Sequence, residues 1–235
     1  MAQEKWRILR CADGRLMTAF TLYNFVLSGN CFKIRLMASL LGVEYHTRAV
    51  NFYPGFEHKS EELLALNPAG TLPILTAGDT VLTDSAAMLA WLALNHDATG
   101  RWYPAADPVL GPQVQHWLAF SSRLTNSAGL ARLNAILDWP VDPDVTRAVA
   151  IKDLRELELL LTDRVLEGQT WLVGDYPTIA DIACFPYVAL SPDAGLEHDG
   201  YPAIRNWLYA VRSLPGFVTM PGIHELHELR VHADA

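Results

Sequence analysis

The sequence predicts a small α/β domain followed by an all-α domain. Segments with strand and helix character alternate up to about residue 96, whereas every apolar pattern beyond that point has the spacing of a helix. A stretch that carries Pro104, Pro108 and Pro112 separates the two parts, and such prolines are typical of a linker. We therefore predict an N-terminal extension outside the core at residues 1–18, an α/β domain at 19–96, a linker at 97–111 and a helical domain at 112–235.

The first part has the element order β-α-β-α-β-β-α. Two strands joined by a helix imply a right-handed parallel crossover, and the hairpin that follows adds antiparallel strands. This order is that of the thioredoxin-like fold. The predicted elements are strands at 21–27 and 45–52, helices at 33–41 and 60–66, a hairpin of residues 72–75 and 80–83, and a helix at 86–95.

The second part carries apolar residues three and four positions apart and contains no further segment with strand character. We therefore predict that it is helical throughout. Its helices are expected at residues 114–137, 145–166, 178–190 and 204–214.

The composition indicates a folded chain with a substantial core. Hydrophobic residues make up 51% of the 235 positions and charged residues 19%, and a chain of this size buries roughly 70% of its surface. The net charge of −8 argues against a nucleic-acid partner, and the three cysteines are too few for a disulfide framework.

Neither a membrane span nor a bound metal is expected. The longest apolar runs fall short of the ~20 residues that span a bilayer, and charges interrupt the N-terminus, so it does not resemble a secretory leader. His224, His227 and His232 near the C-terminus lack the spacing of a zinc motif, so we predict a solvated helix there. A cytoplasmic protein without a membrane partner follows.

The turn between the first strand and the first helix carries Ser28. The N-terminus of a helix favours negative charge, and a serine hydroxyl at that point can donate to a bound anion such as a thiolate. An ordinary helix cap is the other interpretation. Cys31 follows three positions later, and without a cysteine at position 28 dithiol chemistry is excluded, so a structural role for Cys31 is favoured.

Several motifs, in this order along the chain, resemble the cytosolic glutathione S-transferase superfamily. The turn at Ser28 is similar to the serine-type active site of theta-like members, and Gly29-Asn30 suggests a bacterial branch. Thr71 departs from the pattern, because many theta-like members carry a basic residue there, and the extension has no counterpart. The other motifs are residues 56–63, residues 66–75, Thr83-Asp84-Ser85, and residues 173–175 with the capping box Thr178-x-x-Asp181.

The resemblance implies a homodimeric detoxification enzyme that uses glutathione as co-substrate and attacks a small, largely apolar electrophile. Ser28 would activate the thiolate, and Asn30 is a second candidate donor to it. The glutathione-binding residues would be His58, Lys59, Leu72, Pro73, Asp84 and Ser85. In relatives the proline matching Pro73 is cis. The electrophile pocket would be lined by Trp117, Phe120, Ser121 and Leu124.

Other functions remain open on the sequence. The same scaffold supports glutathione-dependent dehalogenation, ether cleavage and isomerisation. A non-catalytic binding or interaction protein could use this fold, and a thiol-transfer enzyme could act through Cys31.

Overall fold

The computed structural model describes residues 9–10, 16–17 and 19–223. The predicted C-terminal helix with His224, His227 and His232 therefore lies outside the described residues. Two short strands, β1 (Leu9–Arg10) and β2 (Leu16–Met17), pair antiparallel within the N-terminal extension. The sequence did not predict this pair.

A four-stranded mixed sheet with three helices forms the first part of the fold. The strand order is β4-β3-β5-β6, with β3 parallel to β4 and antiparallel to β5. The predicted element order is confirmed. The elements are β3 (Thr21–Asn24), α1 (Gly29–Leu40), β4 (His46–Ala49), a 3-10 turn (Glu57–Lys59), α2 (Glu61–Leu66), β5 (Ile74–Ala77), β6 (Thr80–Leu82) and α3 (Ser85–His96).

The boundary between β3 and α1 differs from the prediction. The strand ends at Asn24 instead of residue 27, because the chain then turns, and the Ser28 N–H donates to the Phe25 carbonyl at 3.0 Å. The helix begins at Gly29 instead of residue 33, because Ser28 caps it. The turn is therefore tighter than the apolar pattern suggested, and it brings Ser28 directly to the first turn of the helix.

The second part is helical, as predicted, but the bounds of its helices differ from the predicted ones. The first helix begins inside the predicted linker, and a π-helical segment interrupts the predicted helix 114–137. The elements are α4 (Leu110–Leu124), the π-helical segment (Thr125–Gly129), α5 (Leu130–Leu137), α6 (Pro143–Leu166), α7 (Ile179–Ala189), a 3-10 turn (Ser191–Ala194) and α8 (Pro202–Arg212).

Helix α7 is buried along its whole length and joins the two parts by packing against α1, α3 and α4. Its predicted capping box is present: the Thr178 N–H donates to Asp181 Oδ2 at 2.9 Å, and the Ala180 N–H donates to Thr178 Oγ1 at 3.2 Å. The indole N–H of Trp207 donates to Asp181 Oδ1 at 2.9 Å, which ties α8 to the same carboxylate. The apolar core is continuous from the sheet through α7 to α8.

Within residues 9–10, 16–17 and 19–223, no helix is both long and apolar enough to cross a membrane.

Candidate active site

A cavity of about 280 Å³ lies between the α/β part and the helical part. Both parts contribute walls, so the site depends on how α7 and its neighbours pack against the sheet domain. Among the described residues, the lining contains three basic side chains and no carboxylate. Its residues are Phe25, Leu27, Ser28, Gly29, Asn30, Phe52, His58, Lys59, Gly70, Thr71, Leu72, Thr125, Gly129, Leu130, Arg132, Leu133, Trp139 and Tyr187.

Ser28 both caps α1 and lines this cavity. Its Oγ accepts a hydrogen bond from the Cys31 N–H at 3.2 Å, and its backbone is extended, as in an ordinary N-cap. Capping uses a lone pair of the hydroxyl. Among the described residues no oxygen or nitrogen accepts the hydrogen of Ser28. The two interpretations of Ser28 are therefore compatible, because the hydroxyl can cap the helix and still donate to a ligand.

Asn30 lies beside Ser28 at the start of α1. Its Oδ1 is 3.4 Å from the hydroxyl oxygens of both Ser85 and Thr125, and its backbone N–H donates to the Tyr187 hydroxyl at 3.3 Å. Its amide nitrogen Nδ2 has no partner in the described part of the chain. Asn30 can thus offer a second donor to an anion held at Ser28.

Tyr187 is a site residue that sequence reasoning missed. Its ring is wedged between two glycines, such that a Cβ added at Gly29 would lie 2.7 Å from it and one at Gly129 3.0 Å. Burial is the main cause that raises the pKa of Tyr187 to about 12, so the phenol is neutral near pH 7. The sequence showed only a tyrosine within an apolar helix and gave no signal that glycines from both parts make room for it.

His58 and Lys59 both line the cavity, but they differ in charge. The His58 ring is buried and stacks on Phe52 with 4.1 Å between ring centroids. Its burial, and then the nearby Lys59 charge, lower its pKa. Lys59 is exposed, and its Nζ donates to the Ala69 carbonyl at 3.3 Å. The positive character that the sequence suggested for the pair therefore belongs to Lys59 near pH 7.

Of the other predicted glutathione-binding residues, Leu72 lies in the cavity lining, and Pro73, Asp84 and Ser85 lie outside it. The Leu72–Pro73 peptide bond is cis; Leu72 lines the cavity, whereas Pro73 does not. Asp84 is exposed and caps α3 by accepting from the Ala87 N–H at 2.9 Å. Ser85 is outside the lining but contacts Asn30, which belongs to it.

The predicted electrophile-pocket residues do not line this cavity. Trp117, Phe120, Ser121 and Leu124 are each at most 6% exposed and belong to the interior. The reason is the direction of α4, which packs against α7: the Cys184 thiol donates to the Trp117 carbonyl at 3.5 Å. On this side, the cavity wall is formed by residues that follow α4 in the chain. They are Thr125, Gly129, Leu130, Arg132, Leu133 and Trp139.

Cys31 is fully buried beneath the Ser28 turn. Its burial raises the pKa of the thiol, against smaller opposing effects of Ser28, the Phe25 backbone and Arg35. A protonated, inaccessible thiol is a poor nucleophile, so this geometry argues against thiol transfer through Cys31. Among the residues that the structure describes, no group of three or more His, Cys, Asp or Glu side chains could hold a metal ion.

Comparison with known proteins agrees with this geometry. Residues 27–94 match the family model for the glutathione S-transferase N-terminal domain, and residues 149–215 match the model for its C-terminal domain. Glutathione S-transferase theta-1 of Bos taurus is 27% identical over 212 residues, which cover 87% of each chain. The human theta-1 protein is 26% identical over the same length.

Solved structures show the same relationship. The crystal structure of glutathione S-transferase from Pseudomonas fluorescens has 31% identity and a TM-score of 0.75, and the match covers 86% of this chain and 98% of that chain. A glutathione transferase homologue from Drosophila mojavensis with bound glutathione has 26% identity and a TM-score of 0.74, covering 85% of this chain and 90% of that one.

A thioredoxin-like domain followed by a helical domain, with the cavity between them, is the architecture of the glutathione-dependent transferases that this chain matches. The chain belongs to the glutathione S-transferase superfamily. It is a glutathione transferase, and glutathione is its co-substrate.

Proposed function

We propose that Ser28 hydrogen-bonds and activates the glutathione thiolate, which then attacks an electrophilic carbon of a small, largely apolar molecule. One observation carries this proposal. Ser28 stands at the N-terminus of α1 in the cavity wall, and no oxygen or nitrogen among the described residues accepts its hydrogen.

Three features of this position favour the thiolate over the thiol. The N-terminus of a helix stabilises negative charge, the Ser28 hydroxyl donates to the sulfur, and Asn30 Nδ2 is a second donor. Donors to the charged form lower the pKa of a thiol from its ordinary value near 8.5. In the reaction the thiol proton passes to solvent, the sulfur forms a bond to carbon, and the leaving group departs with the electron pair of the bond that breaks.

Other residues would bind the charged ends and the cysteinyl part of glutathione. Lys59 would bind the glycine carboxylate, with the neutral His58 ring beside it, because both residues line the cavity. The backbone of Leu72, before Pro73, would pair with the cysteinyl part. Asp84 would hold the α-ammonium group, and Ser85 with the N-terminus of α3 would hold the neighbouring carboxylate.

The remaining proposals rest on the resemblance to the family. We assign the chain to a bacterial, serine-type, theta-like branch, with a cytoplasmic location and a role in detoxification. The chain would act as a homodimer. We divide it into an extension (1–18), a thioredoxin-like domain (19–96), a linker (97–111) and a helical domain (112–235), noting that α4 begins at Leu110.

The test compares Ser28→Ala with Ser60→Ala in a conjugation assay with 1-chloro-2,4-dinitrobenzene. Ser60 is a matched control, because its Oγ caps α2 by accepting from the Leu63 N–H at 3.3 Å and it lies outside the cavity lining. Ser28→Ala is expected to lower kcat/KM on the order of a hundredfold, as loss of one aimed donor does elsewhere, whereas Ser60→Ala leaves it unchanged.

Equal activity of the two variants would contradict the role of Ser28. Wild-type protein that binds glutathione but turns over no electrophile would instead support a non-catalytic binding protein.

A further inference from the structure

We propose that Arg132 selects electrophiles that carry a carboxylate, by holding that group in the helical wall of the cavity. This inference rests on the proposed function, because it concerns the second substrate of the same site.

The Arg132 guanidinium is buried and only partly used by the protein. The residue is 4% exposed and lines the cavity from α5. Its Nε donates to Asp193 Oδ2 at 2.7 Å, and its Nη1 donates to the Leu27 carbonyl at 2.6 Å. Its third nitrogen, Nη2, has no partner among the described residues. A group that lines a cavity and still has unused donors is able to bind a ligand.

The surroundings of Arg132 make it distinctive. The other two basic residues of the lining, His58 and Lys59, belong to the α/β part, where the proposed glutathione site lies. On the helical side Arg132 is the only charged residue of the lining within the described part of the chain, and the lining there also includes Leu130, Leu133 and Trp139. An anion in such an apolar wall is poorly screened by water. The ion pair with Asp193 reduces the net charge of Arg132, so the selection of an anion over a neutral group rests on the unused N–H donors of the guanidinium.

The chemistry of the guanidinium favours a carboxylate over other anions. Its planar N–H groups match the geometry of a carboxylate. Because Asp193 already neutralises part of the positive charge, a singly charged group is compensated better than a doubly charged phosphate. The electrophile inferred from this wall is therefore a molecule with an apolar body and one carboxylate.

The experiment uses the full chain with two electrophiles of the same skeleton, the anionic 4-chloro-3-nitrobenzoate and the neutral 4-chloro-3-nitrobenzamide. Both lose chloride from the same ring position, and each kcat/KM is divided by the uncatalysed rate with glutathione. The wild type is expected to prefer the benzoate on the order of tenfold, the size of one charge-assisted hydrogen bond.

Arg132→Gln should lower kcat/KM for the benzoate about tenfold more than for the benzamide, which abolishes the preference. Arg132→Lys should retain part of the preference. Arg147→Gln is the matched control. Like Arg132, Arg147 is bonded to the segment around the Ser191–Ala194 turn, where it donates to the carbonyls of Ala194 and Gly195, but it lies outside the cavity lining. This variant should leave the preference intact.

Two results would overturn the inference. One is a wild type without preference for the benzoate. The other is an Arg132→Gln variant that loses benzoate and benzamide turnover equally and whose kcat/KM rises only at higher pH. The Arg132 charge would then stabilise the thiolate or the Ser28 turn and would not bind the electrophile. If Arg132→Gln does not fold, the inference is still tested by the preference of the wild type and by the part of it that Arg132→Lys retains. Failure of the proposed function itself is distinct, because the neutral 1-chloro-2,4-dinitrobenzene would then not react either.

Discussion

Lys33 is a buried cation whose removal should stabilise the protein. It lies on α1, is 1% exposed, and holds its Nζ 5.5 Å from the centre of the Tyr187 ring. Burial lowers the pKa of Lys33 from 10.5 to about 8, against the opposing influence of Cys184 and Asp84. The perturbation we choose is Lys33→Met, which keeps the length of the side chain and removes its charge.

The expected magnitude follows from this difference in pKa between the unfolded and folded states. A difference of about 2.5 units corresponds to about 3 kcal/mol. Between pH 8 and 10.5 the unfolded chain binds more protons at this lysine than the folded chain, so the free energy of unfolding rises with pH through this window. Below about pH 8 the folded protein carries the full cost of the buried charge.

The assay is urea unfolding of the wild type and Lys33→Met at about pH 7 and about pH 10. The variant should be the more stable protein near neutral pH, and the wild type should recover most of the ~3 kcal/mol relative to it in alkali. Lys152→Met is the control, because Lys152 is exposed on α6. The difference in free energy of unfolding between this variant and the wild type should be the same at both pH values. A wild-type-minus-Lys33→Met difference that is independent of pH would refute the reasoning.

Two further predictions concern the framework of the site. Asp181→Ala removes the acceptor of three buried N–H donors, the Trp207 indole among them, so urea unfolding should show a loss of at least about 3 kcal/mol; a loss under about 1 kcal/mol would contradict the role of this carboxylate. Gly129→Ala places a Cβ 3.0 Å from the Tyr187 ring and should cost about 1–3 kcal/mol by overpacking, with weaker binding of glutathione in calorimetry. Gly200→Ala, which adds a Cβ with no atom within 4 Å, should do neither, and equal behaviour of the two alanine variants would exclude the proposed packing.

Features that depend on local sequence could be predicted well. The Ser28 turn and the Thr178–Asp181 capping box involve residues within four positions of one another, and their side chains bond their own backbone. Apolar spacing likewise predicted the order of the strands and helices. Exact ends were harder, because a strand and the turn after it can share the same apolar residues, as residues 21–27 do.

Features that depend on which face of an element turns inward could not be predicted. Helix α4 packs against both the π-helical segment and α7, so Trp117 and Phe120 are core residues even though their spacing also suits a pocket wall. Arg132 and Tyr187 lie more than 100 positions from Leu27 and Asn30, their respective hydrogen-bond partners. Only the packing of α5 and α7 against the Ser28 turn brings these groups together.

The most direct test of the central claim is the pKa of the thiol of bound glutathione, followed by the ultraviolet absorbance of its thiolate against pH. We predict that the wild type holds this pKa well below the ordinary thiol value near 8.5, and that Ser28→Ala raises it by about one unit or more. Asn30→Ala should raise it less, and Ser60→Ala should leave it at the wild-type value. A Ser28→Ala complex with the same thiol pKa as the wild type would contradict the assignment of Ser28 as the residue that activates glutathione.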